Sequence, residues 1–559
     1  MSDKIYVGVA WPYANGSLSL GHIAGANLPS DIFAKYHRAK GNDVLMVSGS
    51  DQHGTPITLE AEKQGKTPQE IVDHYQREFT ECWDKMGIQF DLYTHTSTRN
   101  HLETAQDIFL KLLENGYLYK DTVSQFYCPK CQRFLADRYV EGKCPSCAAA
   151  GARGDQCDAC GKPLNATELI SPYCRTCKTT PVLKDSEHFF LKLSAFQERL
   201  EKWAEENKDR WRPNVYGFTM RYLKEGLRDR AITRDIDWGI PVPVKGYENK
   251  RLYVWFEAVI GYLSASKQWA KEIAGDENKW KEWWQNPAAK TYYFLGKDNI
   301  PFHTIIWPAM LMGYGGLNLP TDVPANEFLN IQAKKISKSR HWGVWLPDYL
   351  SRYDPDPLRY LLSINMPETS DTDFTWEEFV RRNNNELVAT WGNLVNRVLT
   401  FTYRNYEGKI PIDARLNDAG SKLLQKASVA ASQVDALLAD CHFKQAIHNI
   451  MALAQETNRY LDEQAPWKKI KEDRKAAGDT LYSAICVISQ LKNLFYPFLP
   501  FTSQKVHEYL GYDGELKDYL KANQTFTPPV PGQKLVEPKP LFTKLDESII
   551  EEETKRLGS

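Results

Sequence analysis

The stretch Ile5 to Arg38, IYVGVAWPYANGSLSLGHIAGANLPSDIFAKYHR, constrains this chain more than any other, because a strand pattern gives way to a helix pattern across one turn. Ile5, Val7 and Val9 form a β-branched run, Pro12, Asn15, Gly16 and Gly21 break it, and Ile23, Leu28, Ile32 and Phe33 then recur at helical spacing. Strand, small-residue turn and helix predict a βα unit that aims backbone N–H groups and a helix N-terminus above a sheet edge. Taken alone, such a turn more often closes a βα unit than binds a phosphate. The next residues extend the pattern: Asp43 to Val47 reads as a second strand, with Ser50-Asp51-Gln52-His53-Gly54 at its C-terminal end. That is where an open α/β sheet places ligand-contacting residues. Thr67-Pro68-Gln69-Glu70 is a capping box with Pro at the first helical position. A further helical pattern, Ala105, Ile108, Phe109 and Leu112, stops at Asn115-Gly116.

From Tyr117 to about Lys224 the periodicity collapses and the cysteines gather: Cys128 and Cys131, Cys144 and Cys147, Cys157 and Cys160, Cys174 and Cys177. Each CxxC pair can give two thiolates to one tetrahedral ion, so eight ligands fill two closed four-thiolate sites. A closed site leaves no position for substrate water, which makes the expected zinc structural. The start MSDKIYVG has no signal-peptide core and no run of about 18 apolar residues occurs, so a cytoplasmic protein with metal thiolates is expected in preference to disulfides or a membrane span.

The sheet pattern then returns. Arg251 to Val259 reads as a strand leading into a short helix; Thr291 to Leu295 is a strand followed by Gly296-Lys297-Asp298-Asn299 and a helix entered at Pro301 that carries His303. Phe328 to Ile331 is a strand that delivers Lys335-Ile336-Ser337-Lys338-Ser339, and Asp348 to Phe379 bridges, with Asp354-Pro355-Asp356-Pro357 read as a turn. Beyond Glu386 three apolar stripes of helical period (Leu387 to Val398, Ile447 to Ala454, Leu481 to Leu491) predict an α-helix bundle, and a Pro-rich connector, Thr527 to Pro540, leads to an acidic final segment. A chain of 559 residues exceeds one core, so several domains are expected. The net charge of -1 leaves any nucleic acid to local basic surfaces. No heptad repeat or extra module follows the bundle, and a monomer is expected.

Ser19-Leu20-Gly21-His22 together with Lys335-Ile336-Ser337-Lys338-Ser339 resembles the paired HIGH and KMSKS signatures of class I aminoacyl-tRNA synthetases. Ala10-Trp11-Pro12-Tyr13-Ala14-Asn15-Gly16, Asp51-Gln52-His53-Gly54-Thr55-Pro56, Tyr253-Val254-Trp255 and Ala465-Pro466-Trp467 narrow the resemblance to the methionyl-tRNA synthetases, along nearly the whole chain. One departure is Ser19, which stands where the family has its first His. The resemblance implies an α/β class I Rossmann-like parallel-sheet catalytic domain in two halves (1–116 and 225–332), an inserted module with zinc knuckles (117–224), a KISKS loop and stem-contact region (333–385), an all-α anticodon-binding bundle (386–526) and a C-terminal linker and tail (527–559).

The implied activity is ATP-dependent formation of methionyl-adenylate and transfer of methionine to the terminal adenosine of tRNA(Met), with Mg2+ accompanying ATP and one or two structural Zn2+ ions. In-line attack of a carboxylate on the α-phosphate needs positioning and cations, not a covalent nucleophile. By resemblance, His22, Lys335, Lys338 and, in part, Ser19 serve that step, and Asn15, Gly21 and Asp298 join them around ATP. Asp51 holds the methionine ammonium, while Ala10, Trp11, Tyr13, Trp255, Ala258, Tyr262 and His303 line the side-chain pocket. Arg234 is placed near the carboxylate. Asn393, Arg397 and Trp467 face the anticodon, and the inner four cysteines share one zinc while the outer four bind a second. A synthetase for another apolar amino acid and a catalytically impaired tRNA-binding relative are the alternatives; the former carry a much larger insertion between the sheet halves.

Overall fold

A computed structural model of the chain describes residues 2–558 apart from 137, 138, 155, 156, 158, 161–163 and 165. The β-branched run becomes β1 (Lys4–Val9), and a short helical turn at Leu20–His22 passes through a wider turn, Ile23–Asn27, into α1 (Leu28–Ala39). There follow β2 (Asp43–Ser50), α2 (Pro68–Met86) with Thr67 as its cap, β3 (Leu92–His95) and α3 (Arg99–Glu114). After the insertion come α4 (Val254–Ala258), β4 (Lys290–Gly296) and β5 (Ala325–Asn326). The five strands form one parallel sheet in the order β5-β4-β1-β2-β3. Ile5, Val7 and Val9 enter a core shared with Ile32 and Phe33 of α1, whereas Tyr6 enters a second core with Ile108 and Phe109 of α3. A strand flanked on both faces must be apolar throughout, as β1 is. The chain runs outward from β1 to β2 on one side and returns to β4 on the other, so the crevice above their C-terminal ends is the place for a ligand.

Two long antiparallel strands, Leu118–Cys128 and Val182–Leu191, carry the cysteine module away from the sheet as an arm. Beyond β5, β6 (Leu329–Ile331) and β7 (Lys334–Lys335) form a hairpin, and β6 also pairs in parallel with β8 (Thr372–Phe374). Asp354-Pro355-Asp356-Pro357 is no turn: Asp354 precedes α5 (Pro355–Ile364), whose first positions tolerate proline because their N–H groups have no partner in a helix. The strand expected from Arg251 is also cut short after Leu252, and Trp255 stands in helix α4.

The bundle consists of α6 (Asn393–Asn405), α7 (Asp418–Ala439), α8 (Phe443–Gln464) and α9 (Arg474–Phe495). Its stripes continue the core below α1, and fully buried Arg359 of α5 ties the parts together. Its guanidinium donates to Asp31 of α1 and to the Phe498 carbonyl after α9, both at 2.7 Å, and to the Met86 carbonyl at 3.1 Å. The acidic final segment forms α10 (Ser548–Lys555), where buried Glu553 accepts from Arg352 and from Tyr353. Just past it, the Gly558 N–H donates to the His341 carbonyl at 3.1 Å. None of the described helices is long and apolar enough to cross a membrane.

Candidate active site and metal centres

The turn after β1 is fixed by its neighbours. Leu346 N–H donates to the Leu18 carbonyl at 2.7 Å and Leu20 N–H to the Val344 carbonyl at 3.1 Å, which lays the Ser19 turn against the segment that follows the KISKS loop. Ser19 is buried, with extended backbone, and its N–H donates to His22 Nδ1 at 3.0 Å. An acceptor nitrogen carries no proton, so Nε2 is the donor of His22. Burial, and secondly the Lys338 ammonium, push the His22 pKa down to about 4, which keeps the ring a neutral donor at physiological pH.

The KISKS loop closes onto this turn. Lys338 Nζ lies 3.2 Å from Asn15 Oδ1, and a Cβ added at Gly16 would sit 2.7 Å from that ammonium. A Cβ at Gly21 would sit 2.9 Å from Ile336 Cδ1, so the glycine that resemblance set around ATP also makes room for the loop. Ser337 exchanges backbone hydrogen bonds with Trp342, at 2.8 and 3.0 Å, which holds the loop's far side. Lys335 stands apart from this contact, exposed on β7, with its ammonium 5.8 Å from the Phe328 ring centre. Asp298 is exposed at the C-terminal end of β4, in the turn Lys297–Asn299.

Around the crevice, Trp11 is wedged between two glycines, since a Cβ at Gly49 would approach its ring to 2.6 Å and one at Gly261 to 2.7 Å. Tyr262 meets Trp11 edge-on, with centroids 6.5 Å apart. His303 Nδ1 lies 2.9 Å from the Asn299 carbonyl and must donate to it, so Nε2 accepts from the Tyr262 hydroxyl at 2.7 Å. Burial pushes the His303 pKa down to about 4, consistent with a neutral acceptor. Trp255 is 40% exposed, which removes it from the core; its Nε1 donates to the Tyr13 hydroxyl at 2.8 Å and its ring meets Phe302 at 5.1 Å. Ala10 is tied to β4 by its N–H to the Phe294 carbonyl at 3.0 Å, and Ala258 stands half-buried on α4. Asp51 is buried at the end of β2, and burial, with the charge of Glu257 second, holds its carboxyl well above the usual range. Arg234 spends one nitrogen on the Ala231 and Thr233 carbonyls and stacks on Tyr253 at 3.9 Å.

In the arm, the eight thiols form two groups, Cys128, Cys131, Cys174 and Cys177, and Cys144, Cys147, Cys157 and Cys160, each with its sulfurs within 4.8 Å of one another. The separations of 3.3 and 3.9 Å in the outer group and 3.6 and 3.9 Å in the inner one suit a tetrahedron. Zn–S bonds of about 2.3 Å put sulfurs about 3.8 Å apart. Both groups could hold zinc. Far away on the bundle, Asn393, Arg397, Gln455, Asn458 and Asp462 line a cavity of about 360 Å³. Arg397 donates to Asp462 at 3.1 Å and to the Asn458 carbonyl at 3.0 Å, and lies 5.0 Å from the centre of the half-buried Trp467 ring.

What the sequence left unseen at these sites are the partners for which Gly16, Gly49 and Gly261 make room and the meeting of Glu257 with His53 and His101 beside Asp51; a glycine's partner and a contact between distant segments leave no local pattern.

The family described as tRNA synthetases class I (M) matches residues 5–399, and the family described as anticodon binding domain of methionyl tRNA ligase matches residues 410–559. The chain is 58% identical over 558 residues to a methionine–tRNA ligase of Dehalococcoides mccartyi, covering 100% of both chains. It is 50% identical over 581 residues to one of Thermomicrobium roseum, covering 100% of this chain and 99% of that one. The structure of Mycobacterium tuberculosis methionyl-tRNA synthetase in complex with methionyl-adenylate superposes with a TM-score of 0.80 at 25% identity, covering 97% of this chain and 100% of the other.

Proposed function

Because this chain belongs to the methionyl-tRNA synthetases of class I and is a methionine–tRNA ligase, we propose that the crevice above β1 and β4 carries out its methionine activation with the residues gathered there. The observation that carries this reading is the closure of Lys338 onto Asn15 and Gly16, in the same turn that His22 occupies. Methionine lies with its ammonium against Asp51 and its thioether among Ala10, Trp11, Tyr13, Trp255, Ala258, Tyr262 and His303. A polarisable side chain suits such an aromatic pocket. The neutral Nε2–H of His22 and the ammonium of Lys338 meet the phosphate oxygens as pyrophosphate leaves, Lys335 supplies a second cation from the hairpin, and Asn15, Gly21 and Asp298 hold the rest of ATP, which enters with Mg2+. Ser19, through its N–H on Nδ1, fixes the tautomer of His22.

The two four-cysteine groups hold zinc as structural staples of the arm. Asn393, Arg397 and Trp467 read the anticodon, the indole face of Trp467 being suited to stacking on an unpaired base while Asn393 and Arg397 reach its edges. The division of labour follows the boundaries given above, in a monomer working in the cytoplasm. Methionine-dependent ATP–pyrophosphate exchange tests the site. His22→Asn and Lys338→Ala should each lower kcat about a hundredfold or more with little change in the methionine KM. Unchanged turnover in either variant would remove that residue from the reaction.

A further inference from the structure

Beside the residues assigned above lies a buried cluster that the proposed reaction does not use. Glu257 of α4 is fully buried between two imidazoles: His53 Nδ1 is 2.7 Å from Oε1, and His101 Nε2, on α3, is 2.6 Å from Oε2. A carboxylate has no proton to give, so both ring nitrogens donate. His101 is steadied from behind by Ser264 Oγ, 2.8 Å from Nδ1. His53 connects this cluster to Asp51, because its backbone N–H donates to Asp51 Oδ1 at 3.2 Å.

Two buried carboxyls that feel each other's charge oppose each other's ionisation. The histidines decide which one stays ionised. At Glu257 they outweigh burial and hold the carboxyl down to about 2, while burial and the Glu257 charge push Asp51 upward. Glu257 is therefore satisfied on both oxygens, and Asp51 is the carboxyl that gains from an incoming cation.

We propose that Glu257 is a positioning residue for the amino acid: clamped by His53 and His101, it fixes the loop that bears Asp51 and leaves Asp51 to pair with a single α-ammonium. This deepens the methionine-binding reading and rests on the role given to Asp51. Buried charged hydrogen bonds of this kind hold a loop to one geometry, and losing one partner strands the other.

Methionine-dependent ATP–pyrophosphate exchange with the full chain separates the outcomes. Glu257→Gln keeps the shape but sets an amide N–H against a ring N–H, so the methionine KM should rise about tenfold or more. The ATP KM and kcat should stay within about twofold, since the phosphate-side residues are untouched. His101→Gln, which keeps an N–H toward Oε2, should raise the methionine KM less than Glu257→Gln does. An unchanged methionine KM in folded Glu257→Gln protein, or equal rises for methionine and ATP, overturns the inference. If thermal melting shows that Glu257→Gln does not fold, His101→Leu removes one of the two donors instead, and an unchanged methionine KM there overturns it equally. Asp51→Asn separates this failure from that of the underlying reading: if it leaves the methionine KM unaltered, Asp51 is not the ammonium partner, and if it raises the KM while Glu257→Gln does not, only the positioning role falls.

Discussion

Gly16 shows how one absent methyl group sets the reach of the Lys338 side chain. A Cβ there meets the far end of the Lys338 side chain, which can swing away, and the Gly16 backbone has no positive φ to strain. Gly16→Ala should therefore melt within about 0.5 kcal/mol of the parent. Its turnover in pyrophosphate exchange should nonetheless fall about tenfold or more, because the ammonium leaves its place over the turn. Parental turnover would show that the contact with Asn15 is incidental. His303 gives a prediction in pH. Its pKa falls from 6.5 when unfolded to about 4 when folded, so between those values the unfolded chain binds the extra proton. Stability thus rises with pH across that window and is lost on acidification from 6.5 towards 4. The contribution is about 3 kcal/mol at most. Melting curves of His303→Gln should lose less stability over this range than the parent; parallel curves would mean that the buried ring is not held neutral.

The cysteine arm is the element with the simplest test, because two closed four-thiolate groups predict close to two zinc ions per chain. Metal analysis of the purified protein decides it: one ion would mean that only one group fills, and an active protein without zinc would remove the metal reading. Elements with local punctuation were legible beforehand. Thr67 and Glu70 announce the start of α2, Asn115-Gly116 the end of α3, and the strand β1 follows from its branched residues. Where the signal failed, two principles competed. Asp354-Pro355-Asp356-Pro357 has turn residues that serve equally well in a first helical turn, and Tyr253-Val254-Trp255 is too short an apolar run to tell strand from helix. The signature residues were readable through resemblance, whereas Glu257, His53 and His101 come from three segments far apart in the chain and meet only once the sheet has formed.

At the scale of the molecule, the core beside β1 and α1 runs on into the bundle, and Arg359 bonds α1 to the segment after α9 within it. Trp467→Ala should then weaken aminoacylation of tRNA(Met) by the worth of a lost base stack, about 1 to 3 kcal/mol, while leaving methionine activation nearly intact. An equal loss in pyrophosphate exchange would identify Trp467, which packs against Arg397 and Phe401, as a packing residue alone. The docking of Gly558 on the His341 carbonyl carries a practical consequence. A purification tag or fluorescent fusion spliced after Gly558 would begin its path beside the KISKS loop and crowd the mouth of the crevice, whereas one placed ahead of Lys4 leaves from the N-terminal end of β1, away from the strand ends that form the crevice.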